Sequence, residues 1–256
     1  MSKQARVQSR EVRKAHSAMA ERRGSRRKWF ATGGAAIILG LLVAIVVSLV
    51  NAAGTQNSAD GTVSPDTVVT PGTATPNGAL AVGDAAAPVR LEVYLDYMCP
   101  YCGRFERANG DVMDRMVADG TIRLELYPLS FLDKASSGAS YSTRAANAIT
   151  TVADRSPDKV LAVNRALFAR QPAEGTRGLS DDEIATLAHQ VGVSREVVDA
   201  FTERIFSPWV AASTTAVFKT GVSSTPTVKV NGKNFNGDLY NVGPLTQAIM
   251  SAKSQR

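Results

Sequence analysis

The chain has 256 residues, a hydrophobic content of 44% and a formal net charge of +6 at pH 7. The excess charge lies at one end, because residues 1–28 carry ten Lys and Arg against two acidic side chains, whereas residues 80–256 carry 19 of each sign. This distribution argues against a basic nucleic-acid-binding face on a folded domain, and the length after residue 80 suits one domain with a sizeable core.

A charge-free apolar run follows the basic tail. Residues 31–50 contain no ionisable side chain, and about twenty apolar residues are needed for a helix to cross the hydrocarbon core of a bilayer. Trp29 and Phe30 precede the run, and aromatic rings favour the headgroup region. Because Lys and Arg keep their end of a span in the cytoplasm, we predict a cytoplasmic tail at 1–28, a transmembrane helix at 29–50 and an extracytoplasmic remainder. A cleaved signal peptide is the alternative, and it delivers the domain to the same oxidising compartment.

Residues 51–80 predict a linker. Pro65, Pro71 and Pro76 are interleaved with Gly, Ser and Thr, and the segment lacks the apolar side chains that build a core. We expect a flexible tether between the membrane and a single domain at residues 81–256.

The first part of that domain predicts a strand, a helix and a second strand. Residues 89–95 are rich in branched and aromatic side chains and predict the first strand. An amphipathic pattern then runs to about Ala118, and Gly120 ends the predicted helix. Residues 121–129 alternate between apolar and polar side chains and predict the second strand.

A long helical block and a hairpin complete the pattern. The pattern over residues 136–221 predicts helices throughout, with Ser180 and Glu183 in a capping box. A strand at 227–230, a type I′ turn at Asn231–Gly232, a strand at 233–236 and a helix over about 243–253 follow.

The only two cysteines of the chain, Cys99 and Cys102, lie between the first strand and the first helix. A disulfide stabilises mainly by closing a long loop, so a pair this close in sequence indicates redox chemistry rather than a structural bridge. Two cysteines are too few for a structural zinc site, and the histidines His16 and His189 are far away in the sequence. We therefore expect no metal and no cofactor.

The order of these elements resembles the thioredoxin fold, with Cys99-Pro100-Tyr101-Cys102 at a helix start and Thr225-Pro226-Thr227 directly before a hairpin. Cys102 and Pro226 are 124 positions apart, and this helical interval resembles the inserted domain of DsbA-like thiol:disulfide oxidoreductases, including membrane-anchored actinobacterial forms. The resemblance implies an α/β thioredoxin fold with a helical insertion at about 136–221. It also implies that Pro226 is cis and that the Thr225 backbone binds an extended substrate segment.

The predicted roles of the two cysteines differ. Cys99 stands ahead of the first helical turn, where unsatisfied N–H groups and the helix dipole stabilise a thiolate, so we expect a lowered pKa and an exposed nucleophile. Cys102 lies one turn further and is expected to resolve the mixed disulfide. Pro100 suits the first helical position because it needs no N–H partner there, and Tyr101 is expected to shape the surface beside Cys99.

Two positions depart from the family pattern. Thioredoxin-like proteins often carry a buried acid six residues before the first cysteine, and that position is Val93 here. Asp96 is the better of the nearby acids for this role, although an ordinary hydrogen-bonding role at the strand end fits it equally. The second departure is Tyr101, which stands where strong oxidases of the family carry histidine and predicts a weaker oxidant.

Three functions remain open at this stage. The favoured one is an oxidase that donates the Cys99–Cys102 disulfide to exported proteins and is reoxidised by a membrane partner of the DsbB or vitamin K epoxide reductase type. The second is a reductase or isomerase kept reduced by a membrane donor. The third is a tethered interaction domain without catalysis.

Overall fold

A five-stranded mixed sheet forms the centre of residues 68–255, which are the residues that this computed structural model describes. The strands are β1 (Leu80–Val82), β2 (Val89–Leu95), β3 (Ile122–Pro128), β4 (Thr227–Val230) and β5 (Lys233–Asn234). Their order across the sheet is β1-β3-β2-β4-β5, in which β2 and β3 are parallel and the other pairs are antiparallel. β2 therefore occupies the centre of the sheet.

Seven α-helices surround the sheet in the described part of the chain. They are α1 (Pro100–Ala118), α2 (Tyr141–Arg155), α3 (Val160–Ala169), α4 (Asp181–Gln190), α5 (Arg195–Asp199), α6 (Ser207–Lys219) and α7 (Pro244–Ser254). Short 3-10 helices occupy Asp133–Ser136, Pro157–Lys159 and Ala200–Glu203. The helices from α2 to α6 lie between β3 and β4 in the sequence, which is the helical insertion expected from the pattern. None of the helices within residues 68–255 is both long and apolar enough to cross a membrane.

The alternation of side chains along β2 separates two cores. Leu91, Val93 and Leu95 belong to the large core that also contains buried side chains of α1 and α7. Tyr94 points to the opposite face and stacks on Tyr127 of β3, with 4.1 Å between the ring centroids. Because successive side chains of a strand face opposite sides, the same short segment serves both cores.

Local signals for turns and caps are confirmed where they were predicted. Gly120 has a φ of +71°, a conformation that glycine adopts without the cost of a Cβ, and it separates α1 from β3. Asn231 and Gly232 both have positive φ in the β4–β5 hairpin, as a type I′ turn requires. The capping box between Ser180 and Glu183 is formed in both directions at the start of α4.

The expected linker at residues 51–80 ends too late. Pro71 is buried, Ala74 forms a bridge to Leu80, and β1 pairs antiparallel with β3 from Leu80 onward. Ala79 and Leu80 are fully buried, so the last ten residues of the expected linker belong to the domain. A strand of three residues within a Pro- and Thr-rich segment has too little alternation to be detected. The expected tail at 1–28, membrane helix at 29–50 and earlier linker residues lie outside the described part.

Candidate functional site

The Cys-Pro-Tyr-Cys segment lies at the carboxyl edge of the central strand. β2 ends at Leu95, and Cys99 is the N-cap residue of α1, with extended φ and ψ of −71° and 115°. Pro100 occupies the first helical position, where a missing N–H leaves no hydrogen bond unmade. The Cys99 carbonyl accepts hydrogen bonds from the N–H groups of Cys102 and Gly103 at 2.9 and 3.3 Å. The helix start thus holds both cysteines in one turn.

Cys99 is less exposed than expected of a nucleophile. Only 5% of the residue is accessible, and its Sγ donates to the backbone carbonyl of Thr225 at 3.3 Å. Its pKa is lowered from 9.0 to about 6, mainly by a hydrogen bond from the Cys102 thiol. Burial opposes this shift, whereas hydrogen bonds from the Thr225 side chain and from backbone N–H groups add to it. Thiolate stabilisation at the helix start is the chemistry that the sequence predicts.

The pKa of Cys102 is shifted in the opposite direction to that of Cys99. Cys102 is fully buried, and burial, followed by the interaction with Cys99, raises its pKa well above the usual value. Both cysteines are free thiols in this structure. The pair therefore combines one sulfur that ionises near neutral pH with one that stays protonated, and only the first is a good nucleophile.

Thr225 and Pro226 face Cys99 from the start of β4. The Thr225–Pro226 peptide bond is cis, as the resemblance implies. The contact between Cys99 Sγ and the Thr225 carbonyl joins residues 126 positions apart. The structure thus brings the two predicted motifs together at one edge of the sheet.

Tyr101 is half exposed, at 52%, beside the buried cysteines. Its ring centroid lies 5.9 Å from that of Tyr240, which belongs to the segment between β5 and α7. The Arg104 guanidinium lies near both rings. Tyr101 therefore forms part of the surface that surrounds Cys99.

Asp96 is fully buried below the cysteine segment and accepts three hydrogen bonds. Its Oδ1 accepts from the Met98 N–H at 2.9 Å and from the Ser142 hydroxyl at 2.6 Å, and its Oδ2 accepts from the Leu132 N–H at 2.9 Å. Burial raises the pKa of this carboxyl from 3.8 to about 6, although the three hydrogen bonds oppose the shift. Asp96 thus connects the cysteine segment to the loop after β3 and to helix α2.

Glu106 is an acid of this region that sequence reasoning missed. It lies four residues after Cys102 on α1, is 7% exposed, and has an Oε2 without a hydrogen-bond partner among the described residues. Burial raises its pKa from 4.5 to about 7, against hydrogen bonding by Asn164, whose Oδ1 also accepts from the Tyr97 hydroxyl at 2.9 Å. The spacing of four places an acid on the Cys102 face of the helix, a signal that the sequence does contain.

Gln171 is a second missed residue, and no sequence signal points to it. Its Nε2 donates to the carbonyls of Tyr97 at 3.1 Å and Cys99 at 2.8 Å from the segment that follows α3. Gly103 leaves room for this side chain, because any Cβ at that position would collide with Gln171 Oε1. The helical insertion thereby contacts the backbone of the cysteine segment directly.

The described residues contain no candidate metal site. Between residues 68 and 255, no group of three or more His, Cys, Asp or Glu side chains is arranged to hold a metal ion.

Comparison with known proteins agrees with this geometry. The sequence model of the family described as Thioredoxin (Thioredoxin_4) matches residues 75–243. The reduced form of the disulfide bond oxidoreductase DsbG from Mycobacterium tuberculosis is 27% identical, with a TM-score of 0.58 over 72% of this chain and 96% of that one. Reduced DsbA from the same organism is 26% identical, with a TM-score of 0.57 over 70% and 98%.

Two further comparisons are more limited. The thiol-disulfide oxidoreductase MdbA from Actinomyces oris matches with a TM-score of 0.60 over 71% of this chain and 91% of that one. Because the two sequences are only 21% identical, this match supports a shared fold alone. The serine/threonine-protein kinase PknE of Mycobacterium tuberculosis is 36% identical over 120 residues, which are 45% of this chain. The chain spans about a fifth of the length of this curated relative.

Proposed function

Because the chain belongs to the thioredoxin family and is DsbA-like, we propose that it is a thiol:disulfide oxidoreductase that oxidises exported proteins through Cys99 and Cys102. The observation that carries the proposal is the contrast between the two sulfurs. The pKa of Cys99 is lowered to about 6, and that of the buried Cys102 is raised. Two thiols of unequal acidity in one helical turn suit the exchange of a disulfide.

The reaction begins with the Cys99–Cys102 disulfide. A substrate thiolate attacks Cys99 Sγ, the bond to Cys102 breaks, and Cys102 leaves with the electron pair and takes up a proton. A second substrate thiolate then attacks the substrate sulfur of the mixed disulfide and releases Cys99 as a thiolate. The substrate loses two electrons and gains a disulfide, and the cysteine pair gains the same two electrons.

The lowered pKa of Cys99 favours the oxidase direction. A thiolate stabilises the reduced form of the pair, and a more stable reduced form is a stronger oxidant. At neutral pH, a pKa of about 6 in place of 9.0 favours reduction by about tenfold, which is about 30 mV for a two-electron couple. We therefore propose that electrons flow from the substrate thiols to the Cys99–Cys102 disulfide.

The remaining predicted residues act by position. Thr225 and Pro226 bind an extended substrate segment against Cys99, Pro100 and Tyr101 form the surface that a substrate contacts, and Asp96 holds the segment in place. The short distance between Cys99 Sγ and the Thr225 carbonyl supports this arrangement, because a substrate sulfur bonded to Cys99 would lie beside the Thr225 backbone.

The redox potential and its dependence on pH test both the proposed direction of electron transfer and the ionised state of Cys99. Above a pH of about 6, reduction takes up one proton for two electrons, because Cys99 stays ionised while Cys102 is protonated. We expect the potential to fall by about 30 mV per pH unit above that pH and by about 59 mV per unit below it. Equilibration with glutathione buffers across this pH range measures both slopes.

The absolute potential decides between the two enzymatic readings. A redox potential of about −120 mV at neutral pH supports the oxidase, and a potential of about −270 mV contradicts it. A single slope through pH 6 contradicts the ionised Cys99. The alternative function is a reductase or isomerase kept reduced by a membrane donor. It is supported by Tyr101 between the cysteines together with Thr225 before Pro226, a combination that resembles the isomerase or reductase members of the Dsb proteins.

We place the catalytic domain outside the cell membrane, anchored by a single helix at residues 29–50 with its N-terminus in the cytoplasm. The basic residues of 1–28 and the uncharged span that follows support this topology. A membrane reoxidase of the DsbB or vitamin K epoxide reductase type then restores the disulfide. External protease added to intact spheroplasts is expected to digest the domain while a tag on the N-terminus stays protected. Release of the domain into the medium would instead indicate cleavage.

A further inference from the structure

An aromatic and basic surface lies beside the cysteines, and of its residues only Tyr101 has a role in the proposed exchange of the disulfide. It consists of Tyr101, Arg104, Arg107 and Tyr240, which we call the arginine shelf. The Arg104 Cζ atom lies 4.5 Å from the ring centroid of Tyr240 and 5.7 Å from that of Tyr101. Cations near aromatic rings are attracted by the ring electrons, so the two rings restrict the guanidinium while its N–H groups remain able to bind a ligand.

Salt bridges within the described residues do not neutralise the positive charge of the arginine shelf. Arg104 and Arg107 lie one turn apart on α1 and are exposed, and neither forms a salt bridge with any side chain of residues 68–255. The nearest acid on the facing segment is Asp238, whose carboxylate accepts from the Tyr240 N–H and the Asn241 amide at 2.7 and 2.6 Å. The hydrogen bonds from the Asn241 amide and the Tyr240 N–H lower the pKa of Asp238, and the charge of Arg104 adds to this shift without forming a salt bridge.

Arg165, by contrast with Arg104 and Arg107, forms salt bridges within the domain. Arg165 of α3 contacts two carboxylates of α1, Asp111 and Asp114, and is thereby satisfied within the domain. Arg104 and Arg107 have no such partners, although they lie on the same helix as those acids. Their charge is therefore not neutralised by a salt bridge with any side chain of residues 68–255.

The arginine shelf is close enough to the cysteines to contact a substrate that reacts with them. Tyr101 stands between the two cysteines in the sequence, and Arg104 follows Cys102 by two residues. The ring centroid of Tyr240 lies 5.9 Å from that of Tyr101, so Tyr240 extends the surface that begins between the two cysteines. A shallow cavity extends the shelf past Arg107 to Val242, which is 76% exposed.

We propose that the arginine shelf binds an acidic segment next to the reacting cysteine of the substrate, so that the enzyme prefers thiols flanked by Asp or Glu. This inference rests on the proposed function. A carboxylate can accept two parallel N–H bonds from a guanidinium, and a guanidinium already held by two rings loses less freedom when it binds. A polypeptide is the occupant because Cys99 must meet a peptide thiol at the same place, and Val242 offers an apolar contact beside the charge.

The expected effect is on the rate of encounter and on its dependence on salt. Charges at the rim of an interface mainly change the association rate, and they are screened as the ionic strength rises. We expect a preference of about three- to tenfold for an acidic peptide over a basic one at low salt, since exposed charge pairs are individually weak. The preference should shrink toward unity at high salt.

The experiment uses the full-length oxidised chain in mild detergent and two short peptides with a single cysteine. The peptides differ only in the two residues that follow the cysteine, Glu-Glu in one and Lys-Lys in the other. The second-order rate of each peptide with the Cys99–Cys102 disulfide gives a ratio of rates. Arg104→Gln should reduce this ratio by about three- to tenfold, and Arg104→Glu should invert it. Comparing variants removes the effect of the flanking charges on the thiol pKa of the peptide, because that effect is common to all of them.

Arg195→Gln is the matched control, because Arg195 is exposed, forms no salt bridge with the described side chains and lies at the start of α5. It should leave the ratio of rates unchanged. A ratio that is the same in Arg104→Gln and in the unmodified chain overturns the inference while the enzyme still oxidises both peptides. Failure to oxidise either peptide instead contradicts the proposed function. Loss of binding to phosphatidylglycerol vesicles in Arg104→Gln, without a change in the peptide ratio, would assign the shelf to lipid and also overturn the inference.

Discussion

Replacing Cys102 with alanine is expected to trap the enzyme on its partners through Cys99, whereas replacing Cys99 should abolish exchange. The pKa of Cys99 is lowered. In the proposed mechanism Cys99 forms the mixed disulfide, and the adduct persists when Cys102 is absent because Cys102 is the sulfur that can attack Cys99 and dissociate the adduct. Turnover of either variant should fall by at least about a thousandfold, because nucleophile and resolving group act as one unit. Non-reducing gels of cells that express Cys102→Ala should contain high-mass adducts that disappear on reduction.

The double variant Cys99→Ala/Cys102→Ala is the control for this experiment, and it should form no adduct. Adducts of equal yield in Cys99→Ala would contradict the assignment of Cys99 as the nucleophile, because the buried Cys102 is expected to stay protonated. The absence of adducts in Cys102→Ala would favour the third reading, a tethered domain without catalysis. Trapping thus separates an enzyme from an interaction domain without knowledge of any substrate.

Asp96→Ala is expected to lower the free energy of unfolding by about 2–5 kcal/mol. The substitution leaves the N–H groups of Met98 and Leu132 and the Ser142 hydroxyl without their acceptor in a buried site. Each such buried donor costs about 1–3 kcal/mol, and removal of the costly buried carboxylate offsets part of the loss. Urea unfolding of the reduced protein in mild detergent measures the change.

Ser142→Ala and Asp96→Asn separate the causes. Ser142→Ala removes one of the three hydrogen bonds and should cost about 1 kcal/mol. In the unmodified protein, the folded-state pKa of Asp96 is raised from 3.8 to about 6, so its ionisation makes the free energy of unfolding decrease as the pH rises through this interval. Asp96→Asn should remove that part of the decrease. A loss below about 1 kcal/mol in Asp96→Ala would show that water replaces the carboxylate.

The same residue illustrates how far sequence reasoning reached. Asp96 is the strand-end acid that its closeness to the cysteines favoured among the nearby acids, and the structure places it under the cysteine segment with three hydrogen bonds. Its partners Leu132 and Ser142 come from a loop and a helix that no local pattern relates to it. A hydrogen-bonding role at the strand end fits this geometry directly, because the carboxylate accepts from Met98, Leu132 and Ser142.

Glu106 and Gln171 show two different kinds of omission. The acid at position 106 follows Cys102 by one helical turn, so periodicity alone could have placed it on the same face. Its burial depends on α3, which supplies Asn164, and that packing has no signal in α1. Gln171 reaches the Cys99 carbonyl across 72 positions, and its role depends on the absence of a side chain at Gly103.

Sequence alone was sufficient for features that arise within a few residues. Cys99 at a helix start, the Asn231–Gly232 turn and the Ser180 cap each depend on backbone geometry that neighbouring residues dictate. The short β1 strand, the burial of Cys99 and its contact with Thr225 were decided by packing, because they join segments distant in the chain. The same holds for the unequal acidity of the two sulfurs. A sequence pattern can place two thiols in one turn, but a pKa depends on burial and hydrogen-bond partners that only the folded chain brings together.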